Sequence, residues 1–391
     1  MKHSIILIMI LAFFNSCKDL DFSESIAPKA FSLANSNDNE KISVSNIFNL
    51  KGFTLLNINQ QGFVNIRDVR KFSFIPDGTI IALDNGSDFQ NIWRFDSRGM
   101  FLNKIGYQDS HADNAFDGLN NITYDAKNQE IVCLAAAKKS FMKYGLDGTF
   151  KEDVFNGIYG DDILVTNDQN HTYLVYNEYN PSTVSENYNL LFYNEIGELT
   201  ARAAPYDPKK NGSGYEMSGF VQQSDNQIWF SKPFCDTIFS IKGVEPIPAF
   251  VLNFGDVKPR MDTKSEMIEQ LPNLQAYLGC SFVKIGNYAL FDLVMDHRWQ
   301  TGMLDEKSGK IFRLSETDPT DKLYPLLQIG DIYPKDDQTF AFVISPDKVS
   351  YLISSNKLDL SYFQDNYPEF ASVLSNYKDS NAPLILYFGL K

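Results

Sequence analysis

Thr79–Gly106 reads TIIALDNGSDFQNIWRFDSRGMFLNKIG. Thr79 to Leu83 is an apolar run of strand length. Asp84 to Gln90 is a polar break. Asn91 to Phe95 is a second strand, Asp96 to Gly99 a tight turn, and Phe101 to Ile105 a third strand. The turn recurs along the chain. RFDSRGMF at Arg94–Phe101 is followed by KYGLDGTF at Lys143–Phe150, FYNEIGEL at Phe192–Leu199 and FSIKGVEP at Phe239–Pro246. MLDEKSGKI at Met303–Ile311 is one residue longer. The turn glycines Gly99, Gly148, Gly197, Gly243 and Gly309 are spaced by 49, 49, 46 and 66 residues. A glycine at one fixed place between two apolar strands supplies the positive φ that a hairpin turn needs. Multi-strand units repeating every 40 to 50 residues or so mark a propeller.

Working outward from these turns, four strands fall to each blade. The first blade takes Lys71 to Ile75, Thr79 to Leu83, Asn91 to Phe95 and Phe101 to Ile105. Four more blades follow in this way up to Leu314. The remainder supplies strands at Leu326 to Ile332, Thr339 to Ile344 and Pro383 to Leu390, with Gly52 to Ile58 left over near the N-terminus. Pairing the two ends completes a last blade and leaves no open sheet edge. The expected fold is all-β, a six-bladed propeller of four-stranded blades closed by the N- and C-terminal strands. Two inserts have helical spacing, Met261 to Ala276 and Asp359 to Tyr377, and are expected to cap the disc.

The first residues carry an address. Lys2 precedes the apolar run Ile5 to Phe14, which is too short for a permanent membrane span and reads as an export signal. Phe14-Asn15-Ser16-Cys17 resembles the lipobox of bacterial lipoproteins in the looser form used in Bacteroidetes. That resemblance implies cleavage after residue 16 and lipidation of Cys17, hence an outer-membrane lipoprotein of the cell envelope held to the membrane by its N-terminal lipid. Lys18-Asp19-Leu20-Asp21 resembles the signals that send such proteins to the cell surface. The plain alternative is ordinary secretion with an incidental cysteine. Residues 17–41, polar and without periodicity, read as a flexible tether, and 42–391 as the propeller.

Composition narrows the function. Aromatic residues make up 14% of the 391, which suits sheets packed face to face. The net charge of −14 repels phosphate backbones and argues against a nucleic-acid partner. Besides Cys17 there are three cysteines: Cys133 in an apolar strand, expected as a buried thiol, and Cys235 and Cys280, which an oxidising compartment would permit to pair. There is no Cys/His cluster, HExxH or Gly-x-Ser-x-Gly in the chain.

The repeat turn, the Lys104-Ile105-Gly106 that follows it and the terminal Asn381-Ala382-Pro383-Leu384-Ile385-Leu386-Tyr387 resemble the six-bladed β-propeller lipoproteins of Bacteroidetes, relatives of the NHL and TolB-type propellers. The resemblance covers nearly the whole mature chain and implies fold and address rather than an activity. Many members carry a Gly-Pro-Gly-Glu-like loop after Lys-Ile-Gly; here Tyr107 to Gly118 lacks it.

In a propeller the loops leading into the innermost strands gather on one face. They carry His111, Asp113, Tyr159, Asp161, Asp162, Tyr206 and Tyr215, the candidate ligand-binding residues; the plain alternative for each is a solvated loop residue. Tyrosine suits a protein or glycan partner, because its ring packs while its hydroxyl bonds. No catalytic set stands out and no cofactor is required, so the expected protein is a binding or scaffold module. The alternative is a calcium-dependent lactonase-like hydrolase, with Asn120, Asp161 and Asp162 supplying oxygens to the ion. His171 is read as a solvated turn residue, and Asp296 to Trp299 as lying on the face opposite the loops.

Overall fold

Asn91–Phe95 and Phe101–Ile105 form strands with the bounds read from the sequence, joined through Gly99 at φ +80°. A side chain there would also collide with the neighbouring sheet, since a Cβ on Gly99 would stand 2.3 Å from the Leu55 carbonyl oxygen. The other four repeat glycines share the positive φ, between +61° and +90°. Gly99, Gly148 and Gly197 close the same turn, each amide donating to the carbonyl three residues back, whereas Gly243 sits in a two-residue turn and the Gly309 amide reaches four residues back to Asp305. The computed structural model describes residues 27–391 apart from 34–41, 58–68, 85–89, 167–170, 179, 181, 209–218, 233–234, 255–275, 296–297, 317, 319, 329 and 378–381.

In chain order the first strands are β1 (Lys29–Leu33) and β2 (Phe48–Leu55). One meander follows: β3 (Val69–Phe74), β4 (Ile80–Asp84), β5 (Asn91–Phe95) and β6 (Phe101–Ile105). The next is β7 (Leu119–Asp125), β8 (Glu130–Ala135), β9 (Ser140–Gly145) and β10 (Phe150–Phe155). Then come β11 (Asp162–Val165), β12 (Tyr173–Tyr176), β13 (Tyr188–Tyr193) and β14 (Leu199–Pro205). After these run β15 (Phe220–Ser224), β16 (Gln227–Ser231), β17 (Thr237–Lys242) and β18 (Glu245–Asn253). The fifth meander is β19 (Ala276–Ile285), β20 (Tyr288–Met295), β21 (Arg298–Asp305) and β22 (Lys310–Arg313). The chain ends on β23 (Asp331–Asp336), β24 (Thr339–Ile344) and β25 (Leu384–Leu390).

The sheets form a propeller-like arrangement. Four are separate and four-stranded, where six were expected; β15–β18 and β19–β22 are joined by β1 into one nine-stranded sheet. β1 runs parallel to both β18 and β22 and buries Phe31 against Phe250. It lies inside the segment read as a tether. An apolar residue at its centre and a free edge on each flanking strand explain why five residues suffice to hold it. At the other seam β2 pairs antiparallel with β25, from Phe48 opposite Leu390 to Leu55 opposite Leu384, so the two ends of the body do share one sheet.

Apolar clusters lie between successive meanders. One joins β3–β6 to β7–β10 through Ile81, Ile105, Ile122 and Met142. Others follow around the molecule, and one packs Tyr333, Val343 and Ile385 against Phe72, Trp93 and Phe95. Residues on alternate faces of each strand thus reach different neighbours, and interior strands such as β8 and β9 are buried at every position.

Between β24 and β25 stand three short helices. Leu360–Asn366 and Pro368–Ser375 fall within the insert expected to be helical, and Pro368 breaks it in two. The side chain of Asp359 caps the first of these by accepting from the Tyr362 amide. Pro346–Ser354 was not anticipated. All three press Val349, Leu352, Phe363, Phe370 and Leu374 into the core beneath, which is packing of the kind expected. Leu326 to Ile332, expected as a strand, is instead a 3-10 turn at Tyr324–Gln328 followed by β23, because Leu326 and Leu327 are buried together as one turn. The insert Met261 to Ala276 lies outside the described residues apart from Ala276, which starts β19.

Candidate functional site

Each meander begins at one end of the molecule. Antiparallel pairing returns the chain to that end between its second and third strands and again after its fourth. This loop end therefore carries two loops per meander, and the opposite, turn end carries the tight turns. β20 ends at Met295 and β21 starts at Arg298, which faces it, and Ala276, at the start of β19, stands opposite Met295. Trp299 accordingly belongs to the loop end, a correction to the face read from the sequence. Its ring lies on Gly279, where a Cβ would stand 2.6 Å from both the indole and Asp292 Cβ.

Exposed large apolar side chains gather at this end. Tyr107, Phe155, Tyr159 (51% exposed), Trp299 (54%), Tyr351 and Leu360 all belong to it, whereas Ile196 and Val244 mark the turn end. Most other aromatic rings are buried between sheets, so these rings are exceptions to the packing pattern.

The sequence-predicted residues separate into three groups. His111, Asp113 and Tyr159 are exposed at the loop end; His111 is 92% exposed, near Asp109 and Ser110. Asp161 and Asp162 are adjacent in sequence but face different partners. Asp161 accepts from the Asn180 amide at 3.1 Å. Asp162 accepts from Lys71 Nζ at 3.0 Å and Asn121 Nδ2 at 2.7 Å, so it ties β11 to β3 across β7. The Asn120 amide is turned to the Gly160 carbonyl. Asn120, Asp161 and Asp162 therefore do not form a cage for calcium: an ammonium already holds Asp162, and the Asn120 group next to it is a donor. The third group corrects the sequence reading. Tyr206 is only 5% exposed, and burial pushes its hydroxyl up to about 12, so it is a packing residue. Tyr215, Cys17 and His297 lie outside the described residues.

Below the Lys71–Asp162 bridge lies a cavity of about 510 Å³. It runs along β3, β7, β11, β15 and β23 toward the turn end, and Tyr124, Gln222, Gln223, Tyr333 and Lys335 line it. Its mouth is thus not on the face where the sequence placed the site.

Two carboxyl pairs at the loop end were missed by sequence reasoning. Asp292, on β20, faces an irregularity in β19 between Leu278 and Phe282. The Ser281 hydroxyl and the Cys280 amide donate to it, yet burial, reinforced by Asp331, raises it to about 7. Asp331 is raised too, by burial, but it is solvent-accessible at the start of β23, so its push upward is the weaker of the two. Lys348, on the helix above, opposes both. Glu178, in the turn after β12, is raised to about 8, first by burial and then by Asp161. No motif joins these partners in sequence; only the return of the chain to the loop end brings them together.

His171 is the clearest reversal. It is 5% exposed, and its Nε2 lies 2.9 Å from Asp125 Oδ2, with Tyr173 Oη and Asn128 Nδ2 on the same carboxylate. Asp125 ends β7 and His171 precedes β12, so the pair bolts two sheets together at the turn end. Cys133 is buried as expected, and Cys280 does not bridge to Cys235. Among the described residues no cluster of three or more His, Cys, Asp or Glu side chains is placed to hold a metal, and no helix is long and apolar enough to cross a membrane.

Comparison with known proteins bears on the fold. A family described as a domain of unknown function, DUF4934, matches residues 28–388. Among solved structures, a Bacteroides fragilis protein described as exported superposes over 93% of this chain and 100% of its own, with a TM-score of 0.69 at 16% identity. A member of the DUF4221 family from Bacteroides vulgatus covers 88% of this chain and 99% of its own, with a TM-score of 0.55 at 9% identity. At these identities the likeness is one of fold. No curated protein matches the chain.

Proposed function

The chain belongs to the DUF4934 family, and from that premise we propose that it is a six-bladed propeller, lipid-anchored through Cys17 in the cell envelope, that binds a protein or glycan partner on its loop face. The six-blade reading counts the nine-stranded sheet as two blades bridged by β1. The first strands support it, because β3, β7, β11, β15, β19 and β23 neighbour one another in that cyclic order, β23 returning to β3. The apolar clusters between meanders support it in the same way.

The observation that carries the binding reading is the gathering of exposed rings at the loop end. Tyr107, Tyr159 and Trp299 offer flat apolar faces with polar edges, and carboxyl groups stand beside two of them, Asp161 near Tyr159 and Asp292 beside Trp299. Rings of this kind stack on the C–H faces of sugars or enter pockets of a protein partner. An envelope address suits either ligand. A photo-crosslinking residue placed at Tyr159 or Trp299 in living cells should capture a discrete partner or glycan, and one placed at Ile196 should not. Equal capture from both ends would remove the reading.

A second reading, an acid–base enzyme, has one observation in its favour. Asp292 is a carboxyl raised toward neutrality beside a second carboxyl, the arrangement in which general acids are found. Turnover of an envelope-derived substrate, lost in Asp292→Asn with binding retained, would favour it.

A further inference from the structure

The cavity below the Lys71–Asp162 bridge plays no part in the loop-face reading, yet it has the dimensions of a binding site. Its volume of about 510 Å³ falls within the roughly 300–1,000 Å³ of small-molecule sites. The bridge crosses its loop-end side, where Asp162 accepts from Lys71 Nζ at 3.0 Å and from Asn121 Nδ2 at 2.7 Å. At the turn end the rim is held as well. Asn226, in the turn after β15, donates to Asp337, in the turn after β23, at 2.9 Å. The space is therefore shaped before anything enters it.

Three strands bring neutral polar groups to its wall. Ser73 on β3, Thr123 on β7 and Gln223 on β15 line it, and none of their side chains is hydrogen-bonded among the described residues. Gln222 accepts from the Phe282 amide at 3.0 Å through Oε1, which leaves its Nε2 as a donor. The charges of the wall are matched within the protein. Lys71 is held by Asp162, and Lys335 lies 3.8 Å from Asp336 with its Nζ 4.5 Å from the centre of the Tyr387 ring. Asp337 stands exposed at the rim. Phe74 and Tyr124, both half-buried, add aromatic surface.

We infer that this cavity binds one neutral monosaccharide, which enters from the turn end. Hydroxyl and primary amide groups both donate and accept, as the hydroxyls of a sugar require of a partner. A wall without unmatched charge gives a carboxylate or ammonium ligand nothing to replace its lost hydration, so charged ligands are disfavoured. The C–H faces of a sugar pack on rings such as Phe74 and Tyr124. Water fills such a space too, but it gains nothing from the apolar part of the wall. The site is distinct from the exposed rings of the loop end, so it stands or falls independently of a partner bound there.

The test is isothermal titration of the purified protein with D-glucose, D-galactose and N-acetyl-D-glucosamine, alongside thermal unfolding in an excess of each. The expected result is one sugar per chain and a higher Tm for at least one of the three. D-glucuronate and D-glucosamine, the charged counterparts, should bind at least about tenfold more weakly than that sugar. Gln223→Leu should weaken binding by at least about tenfold, because it removes a hydrogen-bonding group from the wall. Thr123→Val, which keeps the shape and removes the hydroxyl, should do the same and serves if Gln223→Leu does not fold. Ile196→Ala, at the turn end but outside the cavity, should bind as wild type does. Absence of both binding heat and Tm change with all three neutral sugars would overturn the proposal. So would equal binding of a charged counterpart, wild-type affinity in Gln223→Leu and Thr123→Val, or loss of binding in Ile196→Ala.

Discussion

Replacing Asp292 with asparagine should change how stability depends on pH, and the sign follows from the site. The carboxyl is raised from 3.8 to about 7 by burial and by Asp331. Below pH 3.8 it is protonated both folded and unfolded and adds no pH dependence. Between 3.8 and 7 the unfolded chain loses the proton while the folded chain keeps it, so stability falls as pH rises. Above 7 the whole penalty is present. The gap corresponds to a ceiling of about 4 kcal/mol. Asp292 is only part-buried, and solvent screening lowers that figure. Asp292→Asn keeps the shape and removes the titration. Urea denaturation of both proteins at pH 4.5, 6, 7.5 and 8.5 gives the difference profile, which removes groups common to both. Wild type should lose stability relative to the variant by roughly 2 to 4 kcal/mol across this range. Asp331 is coupled to Asp292, so the fall reports the pair rather than one residue. Parallel profiles, or a wild type that gains on the variant as pH rises, would refute the reasoning.

Other expectations follow from single residues. Gly99→Ala meets the Leu55 carbonyl and an unfavourable φ together, and should cost about 2 kcal/mol or more in chemical denaturation. Phe31→Ala empties a fully buried site between β18 and β22; it should cost about 3 to 5 kcal/mol and open residues 29–33 to limited proteolysis. Asp125→Ala strips the buried His171 and the part-buried Asn128 of their acceptor, and a loss of about 2 to 4 kcal/mol in urea titrations at neutral pH is expected.

Much of the architecture was legible because it is local. The strand–turn–strand around Gly99 needs only alternating apolar residues and one glycine, and both strand bounds at Asn91–Phe95 and Phe101–Ile105 were read correctly. The seam of β2 with β25 was legible by elimination, since each was left without a partner. β1 was not, because five residues in a polar region give no period, and what holds them is a slot between two strands more than 200 residues away. The helix at Pro346–Ser354 does carry a signal, Pro346 at its start followed by Val349 and Leu352 on one face. The site was read less well, for a physical reason. His171 looks solvated in its own turn, and its burial comes from Asp125, 46 positions earlier. Tyr206 follows a strand end and looks exposed, yet it is buried. The two raised carboxyl groups, Asp292 and Glu178, owe their state to neighbours that only the closed arrangement supplies.

The most direct test of the loop face as the working surface is a binding comparison between the two ends of the molecule. Tyr107, Tyr159 and Trp299 would be replaced together by alanine, and Ile196 and Val244 replaced in a control, with affinity measured for the partner or glycan captured in cells. The account predicts a loss of at least about tenfold for the first protein, as expected on removing aromatic anchors, and wild-type affinity for the second. Undiminished binding by the loop-end variant, or a loss confined to the turn-end control, would contradict it.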